Sequence, residues 1–173
     1  MKNLIKLMVL DFDGVMTDNR VLVDENGKES VFVNRADGMG INLLKSYGIQ
    51  CMILSTEKNP VVSKRAEKLN ISVLQGIEDK CDALKNYAEL QGIALQDILY
   101  VGNDINDLSV MQIVGVTAVP ADAYEIVKEK ADILLKTKGG YGVVRELADY
   151  FMNGYFGGEV NGKQNNKNRR ICD

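Results

Sequence analysis

Apolar and polar positions follow two alternating patterns along this chain. Short apolar runs bounded by polar or glycine residues predict strands at 4–10, 49–54, 71–74, 97–101, 115–119 and 132–135. Between them, apolar residues recur every three or four positions, which predicts helices at 37–47, 60–69, 80–91, 105–113, 122–130 and 141–152. Strands that alternate with helices favour an α/β fold, here a Rossmann-like three-layer sandwich in which helices cover both faces of a parallel sheet.

Polar side chains suited to chemistry follow three of the predicted strands. They are Asp11 and Asp13 after the first strand, Ser55 after the second and Asn103 after the fourth. Open α/β sheets bind ligands at the carboxyl ends of their strands. We therefore expect these side chains to converge at one edge of the sheet.

One segment, residues 20–33, departs from the alternation. Two arms rich in β-forming residues flank Asn26-Gly27, which is a strong signal for a β-hairpin. An isolated hairpin is marginally stable in water, so one with apolar arms is expected to pack on something. It is either a flap over the site or an assembly surface, and a decorative surface hairpin is the plainer alternative.

The length of 173 residues fits one domain with a substantial core. We expect that domain at 1–152, with the hairpin inserted at 19–34. The remainder, 153–173, is polar and low in complexity, and a flexible tail is the default expectation for it. Because the tail is locally basic, a subunit-bridging arm over an anionic active site is the sharper alternative.

Charge and composition exclude several partners and chemistries. The net charge is −3, no basic patch before the tail suggests nucleic acid, and no apolar run reaches transmembrane length. The cysteines, Cys51, Cys81 and Cys172, show no zinc or redox spacing. The chain has no histidine, which excludes Ser-His-Asp and Cys-His catalysis and leaves acid–base work to carboxylates or lysine. We expect a cytoplasmic enzyme without nucleic-acid or membrane partners.

The turn after the first strand carries the most specific chemistry. Asp11 and Asp13 are two residues apart, so both lean to the same side, and Gly14 allows the backbone to turn sharply. Two like charges held this close need a cation, usually Mg²⁺, or a shared proton. A surface pair that caps a loop is the alternative for two such aspartates alone.

The whole string Asp11-Phe12-Asp13-Gly14-Val15-Met16-Thr17-Asp18 resembles the first motif of the haloacid dehalogenase phosphatase superfamily. The resemblance implies that Asp11 attacks the phosphorus of a phosphomonoester. It also implies that Asp13 protonates the leaving oxygen and then activates water. A carboxylate needs no base to become a nucleophile, while proton shuttling requires a second, differently tuned carboxyl.

Further motifs follow in the order that the superfamily has. Ser55 would donate to a phosphoryl oxygen, and Lys80 at a helix start would hold the phosphate and neutralise Asp11. Taken alone, such a serine is usually a turn residue or helix cap, and such a lysine a surface residue. The last motif, 102–108, offers oxygen ligands to a hard cation.

Asn103 stands where the superfamily usually has the aspartate that ligates Mg²⁺. An amide oxygen still ligates but brings no charge, so we expect a weaker Mg²⁺ site or a larger part for Asp104 or Asp107. The metal ligands that the resemblance implies are Asp11, Asp13 and Asn103, with Asp104 and Asp107 as less certain members.

The chain is most similar to the branch of the superfamily that lacks a cap domain and hydrolyses 8- or 9-phosphates of 2-keto-3-deoxy sugar acids. The resemblance covers residues 4–152, including the hairpin, the segment 36–41 beyond it and a glycine-rich stretch at 139–146. By itself, this stretch is equally typical of a loop before a helix. It implies a homotetramer in which hairpins pack between subunits and a neighbour completes each active site.

The expected substrate depends on Glu57, which stands where phosphatases of the eight-carbon acid 3-deoxy-manno-octulosonate 8-phosphate typically have arginine. Glu57, Arg65 and Lys68 have the spacing of substrate-recognition residues in the nine-carbon branch. The first expectation is therefore a 9-phosphate of deaminated neuraminic acid or an N-acylneuraminate, in sialic acid biosynthesis. For Arg65 and Lys68, a solvated helix flank is the alternative.

Two other functions stay open at this point. One is the eight-carbon acid phosphatase. The other is a non-catalytic oligomerisation module, of the kind that the resemblance associates with cytidylyltransferases of the sialic acid pathway.

Overall fold

The computed structural model describes residues 5–156, which form an α/β fold. The strands are β1 (Leu7–Leu10), β2 (Leu22–Val23), β3 (Glu29–Ser30), β4 (Gln50–Leu54), β5 (Ser72–Leu74), β6 (Ile98–Val101), β7 (Val116–Val119) and β8 (Ile133–Leu134). The helices are α1 (Arg35–Ser46), α2 (Val61–Leu69), α3 (Lys80–Gln91), α4 (Leu108–Met111), α5 (Glu125–Lys128) and α6 (Val143–Met152).

The main sheet is parallel throughout and has the strand order β5-β4-β1-β6-β7-β8. Each strand predicted for it from the sequence is confirmed. Leu10 at the end of β1 pairs with Ile53 of β4 on one side and with Val101 of β6 on the other. The chain therefore leaves three neighbouring strands at one edge, and the strand order reverses at β1, which is where open α/β sheets bind ligands.

Helices cover both faces of this sheet. In β1, Met8 and Leu10 face α1, α2 and α6, while Leu7 and Val9 face α3, α4 and α5. Alternate residues of a strand point to opposite faces, and both faces here are buried, so β1 is apolar throughout. The three-layer arrangement expected from the sequence is confirmed.

Two predicted helices are shorter than expected. In place of 105–113, a 3₁₀ turn at Ile105–Asp107 precedes the four-residue α4. The carboxylates of Asp104 and Asp107 cap each other's backbone there, which favours a tight turn. In place of 122–130, only α5 is helical, because the Tyr124 amide donates to the Asn103 carbonyl (3.1 Å) and holds the preceding residues in a loop.

The hairpin predicted from the sequence is present but short, with two residues in each strand. Gly27 takes a φ of +75°, and the Asp24 carboxylate accepts from the amides of Asn26 and Lys28. Phe32 is 74% exposed and Leu22 is 65% exposed, and no other segment within residues 5–156 covers these two side chains. Val31 and Val33, on the second arm, are half-buried and pack against the core.

The tail predicted at 153–173 lies outside the described residues from position 157 onwards, as does Cys172. Among the residues that are described, no helix combines the length and apolar character needed to cross a membrane.

Candidate active site

Asp11 directly follows β1, and its side chain is 7% exposed. Its Oδ1 accepts hydrogen bonds from the Phe12 amide (2.7 Å) and from Lys80 Nζ (2.9 Å). Its Oδ2 has no donor in the described part of the chain, and Asp11 lines a cavity of about 110 Å³. One carboxylate oxygen is thus held in place while the other is left for a ligand or a reacting atom.

Lys80, the first residue of α3, is the cation of this centre and is 1% exposed. Its ammonium lies 2.9 Å from Asp11 Oδ1 and 2.7 Å from Asp107 Oδ1. The hydroxyl of Tyr100, in β6, also donates to Asp107 Oδ1 (2.6 Å). Asp107 Oδ2 accepts from the amides of Asn103 (2.8 Å) and Asp104 (3.3 Å).

Burial and charge set the protonation of this centre. Burial, reinforced by the charge of Asp107 and opposed by Lys80, raises the pKa of Asp11 to about 7. Burial alone would lower the pKa of Lys80, but the flanking charges of Asp11 and Asp107 raise it, so the ammonium stays charged. A further cation beside Asp11 would hold its carboxylate ionised near neutral pH.

Asp13 is half-buried and faces the same edge. Its Oδ1 accepts from the hydroxyl of Thr17 (3.4 Å), and that hydroxyl in turn accepts from the Gly14 amide (3.2 Å). Burial, followed by the charge of Glu57, raises the pKa of Asp13, while Thr17 and Lys80 oppose the shift. The shift favours a carboxyl that carries a proton, as a general acid must.

Ser55 directly follows β4 and lines the 110 Å³ cavity together with Asp11. Its side-chain oxygen accepts from the Glu57 amide (3.1 Å), which leaves the hydroxyl hydrogen free to point into the cavity. Asp13, Asn19, Thr56, Asn103, Asp104 and Asn106 complete the lining. The sequence expectation that Asp11, Asp13, Ser55 and Asn103 converge is met by this geometry.

The residues around this cavity fit a hard divalent cation. Asn103 Oδ1 is buried beside the carboxylates of Asp11 and Asp13, and no residue within 5–156 gives it a hydrogen bond. A buried acceptor left unpaired is costly, and a metal ion satisfies it. The amide lies so close to Gly14 that a Cβ there would be 2.1 Å from Asn103 Nδ2, so only glycine leaves room for it.

Of the less certain ligands, only Asp104 reaches the cavity, where it is half-buried. Asp107 does not line the cavity, and both of its oxygens already accept hydrogen bonds. The geometry therefore gives Asp107 a different part from the one expected. Its carboxylate holds Lys80 in place and accepts from the Asn103 amide.

A larger cavity of about 270 Å³ adjoins the first between the hairpin and the start of α2. Glu57 and Glu29 present carboxylates to it, and Asn59 Nδ2 donates to Glu29 Oε2 (3.3 Å) across it. Asp13 and Asn19 line both cavities. A phosphate in the small cavity would thus have the rest of its molecule in the large one.

Arg65 and Lys68, expected to contact substrate, line neither cavity. Arg65 is half-buried and donates to the Asn34 carbonyl (2.8 Å) before α1, while Lys68 is exposed. Burial lowers the pKa of Arg65, opposed by nearby Asp37. Within one chain, Arg65 makes a structural contact with the Asn34 carbonyl. Of Glu57, Arg65 and Lys68, only Glu57 shares a cavity with Asp13.

The glycine-rich stretch packs directly on the loop at 11–18, which we call the catalytic loop because it carries the candidate catalytic residues Asp11 and Asp13. The Gly140 amide donates to the Val15 carbonyl (3.0 Å), and a Cβ at Gly139 would lie 2.1 Å from the Gly14 carbonyl oxygen. The Gly139 amide also donates to Asp122 (2.8 Å). Only glycine allows this close approach. The stretch therefore supports the turn at Asp13 in addition to leading into α6.

The sequence reasoning assigned no part to Tyr100 or Thr17. Tyr100 is a fully buried phenol in an otherwise aliphatic strand. A buried tyrosine hydroxyl needs a hydrogen-bond partner, so a tyrosine in this strand was the signal that the sequence offered. Thr17 stands within the first motif, four residues after Asp13.

Comparisons with known proteins agree with this geometry. A family model for haloacid dehalogenase-like hydrolases matches residues 41–147. The chain is 35% identical over 149 residues to the 3-deoxy-D-manno-octulosonate 8-phosphate phosphatase of Escherichia coli K12, covering 86% of this chain and 79% of the relative.

Solved structures give the same picture. A protein from Streptomyces avermitilis described as a HAD family hydrolase superposes with a TM-score of 0.85, at 46% identity and 90% coverage of each chain. The 3-deoxy-D-manno-octulosonate 8-phosphate phosphatase of Moraxella catarrhalis, solved with magnesium, phosphate and the sugar acid, gives a TM-score of 0.82 at 30% identity, with 86% of each chain covered.

Proposed function

Because the chain belongs to the haloacid dehalogenase-like hydrolases and is a phosphatase, we propose that it hydrolyses the 8-phosphate of 3-deoxy-D-manno-octulosonate in a Mg²⁺-dependent reaction. The observation that carries this proposal is the position of Asp11. Its Oδ2 is unpartnered beside a cavity that Asp13, Ser55 and Asn103 also line.

In the first step, Oδ2 of Asp11 attacks the phosphorus. A bond forms between that oxygen and phosphorus, and the bond from phosphorus to the sugar oxygen breaks. Asp13 gives its proton to the departing oxygen, so the sugar acid leaves as an alcohol. The raised pKa of Asp13 supports this order, since the carboxyl must be protonated before the ester bond breaks.

In the second step, a water molecule attacks the phosphorus of the phosphorylated Asp11. Asp13, now a carboxylate, takes a proton from that water. The bond between phosphorus and Asp11 breaks, and orthophosphate forms while both side chains return to their starting protonation. Splitting the reaction in this way replaces one slow hydrolysis by two easier transfers.

Other residues hold the phosphoryl group. Ser55 donates its hydroxyl hydrogen to a phosphoryl oxygen, and Lys80 offsets negative charge while it fixes Asp11. Asp11, Asp13 and Asn103, with Asp104 as a further candidate, would hold Mg²⁺. A bound Mg²⁺ supplies charge stabilisation for the phosphoryl oxygens.

The relatives favour the eight-carbon acid over the nine-carbon acid that Glu57 suggested. The Escherichia coli and Moraxella catarrhalis relatives are both named for the octulosonate 8-phosphate. The nine-carbon acid stays as a second candidate on one observation. Glu57 lies on the wall of the 270 Å³ cavity, where it would meet the sugar.

The assembly and location of the enzyme belong to the same proposal. We expect a homotetramer in which hairpins pack between subunits and a neighbouring subunit completes the site, in the cytoplasm. The exposed arms of the hairpin support the assembly, since Phe32 and Leu22 lie on a face that the described chain leaves uncovered.

Phosphate release from a substrate panel tests the proposal. The panel contains the eight-carbon 8-phosphate, nine-carbon 9-phosphates with and without an N-acyl group, and p-nitrophenyl phosphate, each with Mg²⁺ or EDTA. We expect the highest kcat/KM for the eight-carbon ester and loss of activity in EDTA. A preference for a nine-carbon ester would favour the second candidate. No hydrolysis of any ester would favour the non-catalytic module instead.

A further inference from the structure

Asn19 has a left-handed backbone conformation at a place where no helix ends. Among residues 5–156, Asn19 and Asn70 are the non-glycine residues with positive φ, at 64° and 51°. Asn70 ends α2 as a left-handed cap, an ordinary place for asparagine. Asn19 ends no helix. It lies where the chain passes from the catalytic loop to the hairpin, and backbone held in this region of φ/ψ space tends to occur at functional sites.

The catalytic loop itself holds Asn19 in this conformation. The Asn19 amide donates to the hydroxyl oxygen of Thr17 (3.2 Å), and the same hydroxyl donates to Asp13 Oδ1 (3.4 Å). Thr17 is fully buried, so this hydroxyl cannot shift to water. The position of Asn19 is therefore fixed relative to Asp13.

The side chain of Asn19 stands at the junction of the two cavities. Asp13 and Asn19 are the residues that line both the 110 Å³ and the 270 Å³ cavities. In the described structure, the Asn19 carboxamide makes no hydrogen bond, and the residue is exposed. It offers both a donor and an acceptor where the two cavities adjoin.

We propose that Asn19 is a specificity-determining residue that hydrogen-bonds the carbon chain of the substrate next to the phosphate. This proposal rests on the proposed function, because it needs a phosphoester whose phosphate lies beside Asp11 and whose hydroxyl-bearing chain extends along Glu57. The contact sets how far the ester enters and so which oxygen faces Asp13. Glycine would adopt the same φ without strain, so the backbone does not require asparagine here. The contribution of this residue must come from its side chain.

Asn19→Gly removes the carboxamide and keeps the backbone conformation. We expect kcat/KM for the sugar-acid phosphate to fall at least tenfold, chiefly through KM, with a loss at least threefold smaller for p-nitrophenyl phosphate, which has no hydroxyls to contact. Asn70→Gly is the matched control, since it makes the same change at the other left-handed asparagine. It should leave both rates as they are in the wild type.

Calorimetric binding of the free sugar acid in the presence of orthophosphate provides a second readout that needs no turnover. We expect Asn19→Gly to weaken this binding at least fivefold. If the variant binds and hydrolyses the sugar-acid ester like the wild type, or loses equally on both esters, the proposal is wrong. If the wild type hydrolyses no ester but Asn19→Gly still weakens sugar-acid binding, the proposed function fails while the role of Asn19 stands.

Discussion

Lys80 lies in a region where charged groups are buried and paired, whereas Phe32, on the hairpin beyond the same sheet edge, is exposed and has no covering segment in the described chain. Lys80 is 1% exposed and bridges Asp11 and Asp107. Phe32 is 74% exposed on a hairpin whose strands have two residues each. The buried groups around Lys80 find their partners within one chain, whereas the described chain supplies no segment that covers Phe32.

This difference separates reactivity from recognition. A buried charge costs several kcal/mol unless it is paired, so the chain supplies every partner that Lys80 and Asp107 need. Groups that meet the sugar or another subunit stay open to solvent until those partners arrive. A substitution in the buried centre should therefore affect all substrates, and one on the hairpin side should affect assembly or substrate choice.

The largest effect is expected at the buried centre, from Asp11→Asn. An amide cannot attack phosphorus, so turnover should fall more than about a thousandfold, which is well above the lower end of the roughly 10²–10⁴ that acid–base help alone contributes. Phosphate release from the sugar-acid ester measures this, with circular dichroism to check the fold. A variant that keeps more than a thousandth of the wild-type rate would argue against attack by Asp11.

Lys80→Met should lower both activity and stability. Removing the ammonium leaves Asp11 and Asp107 buried without their cation, which costs about 3–5 kcal/mol of unfolding free energy. Urea unfolding measures the stability, and kcat on two esters measures the activity. Lys85→Met is the control, since Lys85 is an exposed lysine on the same helix. If Lys80→Met and Lys85→Met had the same unfolding free energy and the same kcat, the paired centre would contribute little to stability or activity.

Mg²⁺ affinity should depend on pH through Asp11. The pKa of Asp11 is raised to about 7 in the metal-free protein, so below pH 7 a proton competes with the metal for this carboxylate. Affinity should rise up to tenfold per pH unit below about 7 and level off above it. Calorimetry at several pH values measures this. Asp11→Asn should bind more weakly with a flatter pH dependence, and a flat wild-type profile would contradict the assignment.

On the open side, Phe32→Ser should weaken association and leave the buried centre intact. Light scattering should give a tetramer for the wild type and smaller species for the variant. Leu90→Ser is the control, because Leu90 is an exposed apolar residue on α3, away from the hairpin. A monomeric wild type, or equal masses for all three proteins, would contradict assembly through the hairpin.

The sequence predicted those features that depend on local pattern. Strands such as β1 and β6 are buried on both faces, so their apolar runs stand out. It overestimated α4 and α5, since capping between Asp104 and Asp107 and the hydrogen bond from Tyr124 to Asn103 compete with helix extension. The first contact is local, within three residues, whereas the second depends on how distant segments meet.

The site shows the same limit. Spacing along the chain put Asp107 among the ligands, but its orientation is set by Lys80 and Tyr100, which lie on other elements. Spacing likewise grouped Arg65 with Glu57, yet the Asn34 carbonyl holds Arg65 away from both cavities. Residue type and order predicted which side chains converge, and the three-dimensional contacts decided what each one does.

The central claim is that Asp11 becomes phosphorylated during turnover. Acid quench of the enzyme within milliseconds of mixing with the sugar-acid phosphate and Mg²⁺, followed by borohydride reduction and mass spectrometry, measures this directly. Reduction of an aspartyl phosphate yields homoserine. We expect homoserine at position 11 and at no other position. Full turnover with an unmodified Asp11, or with the modification on Asp13 or another residue, would contradict it.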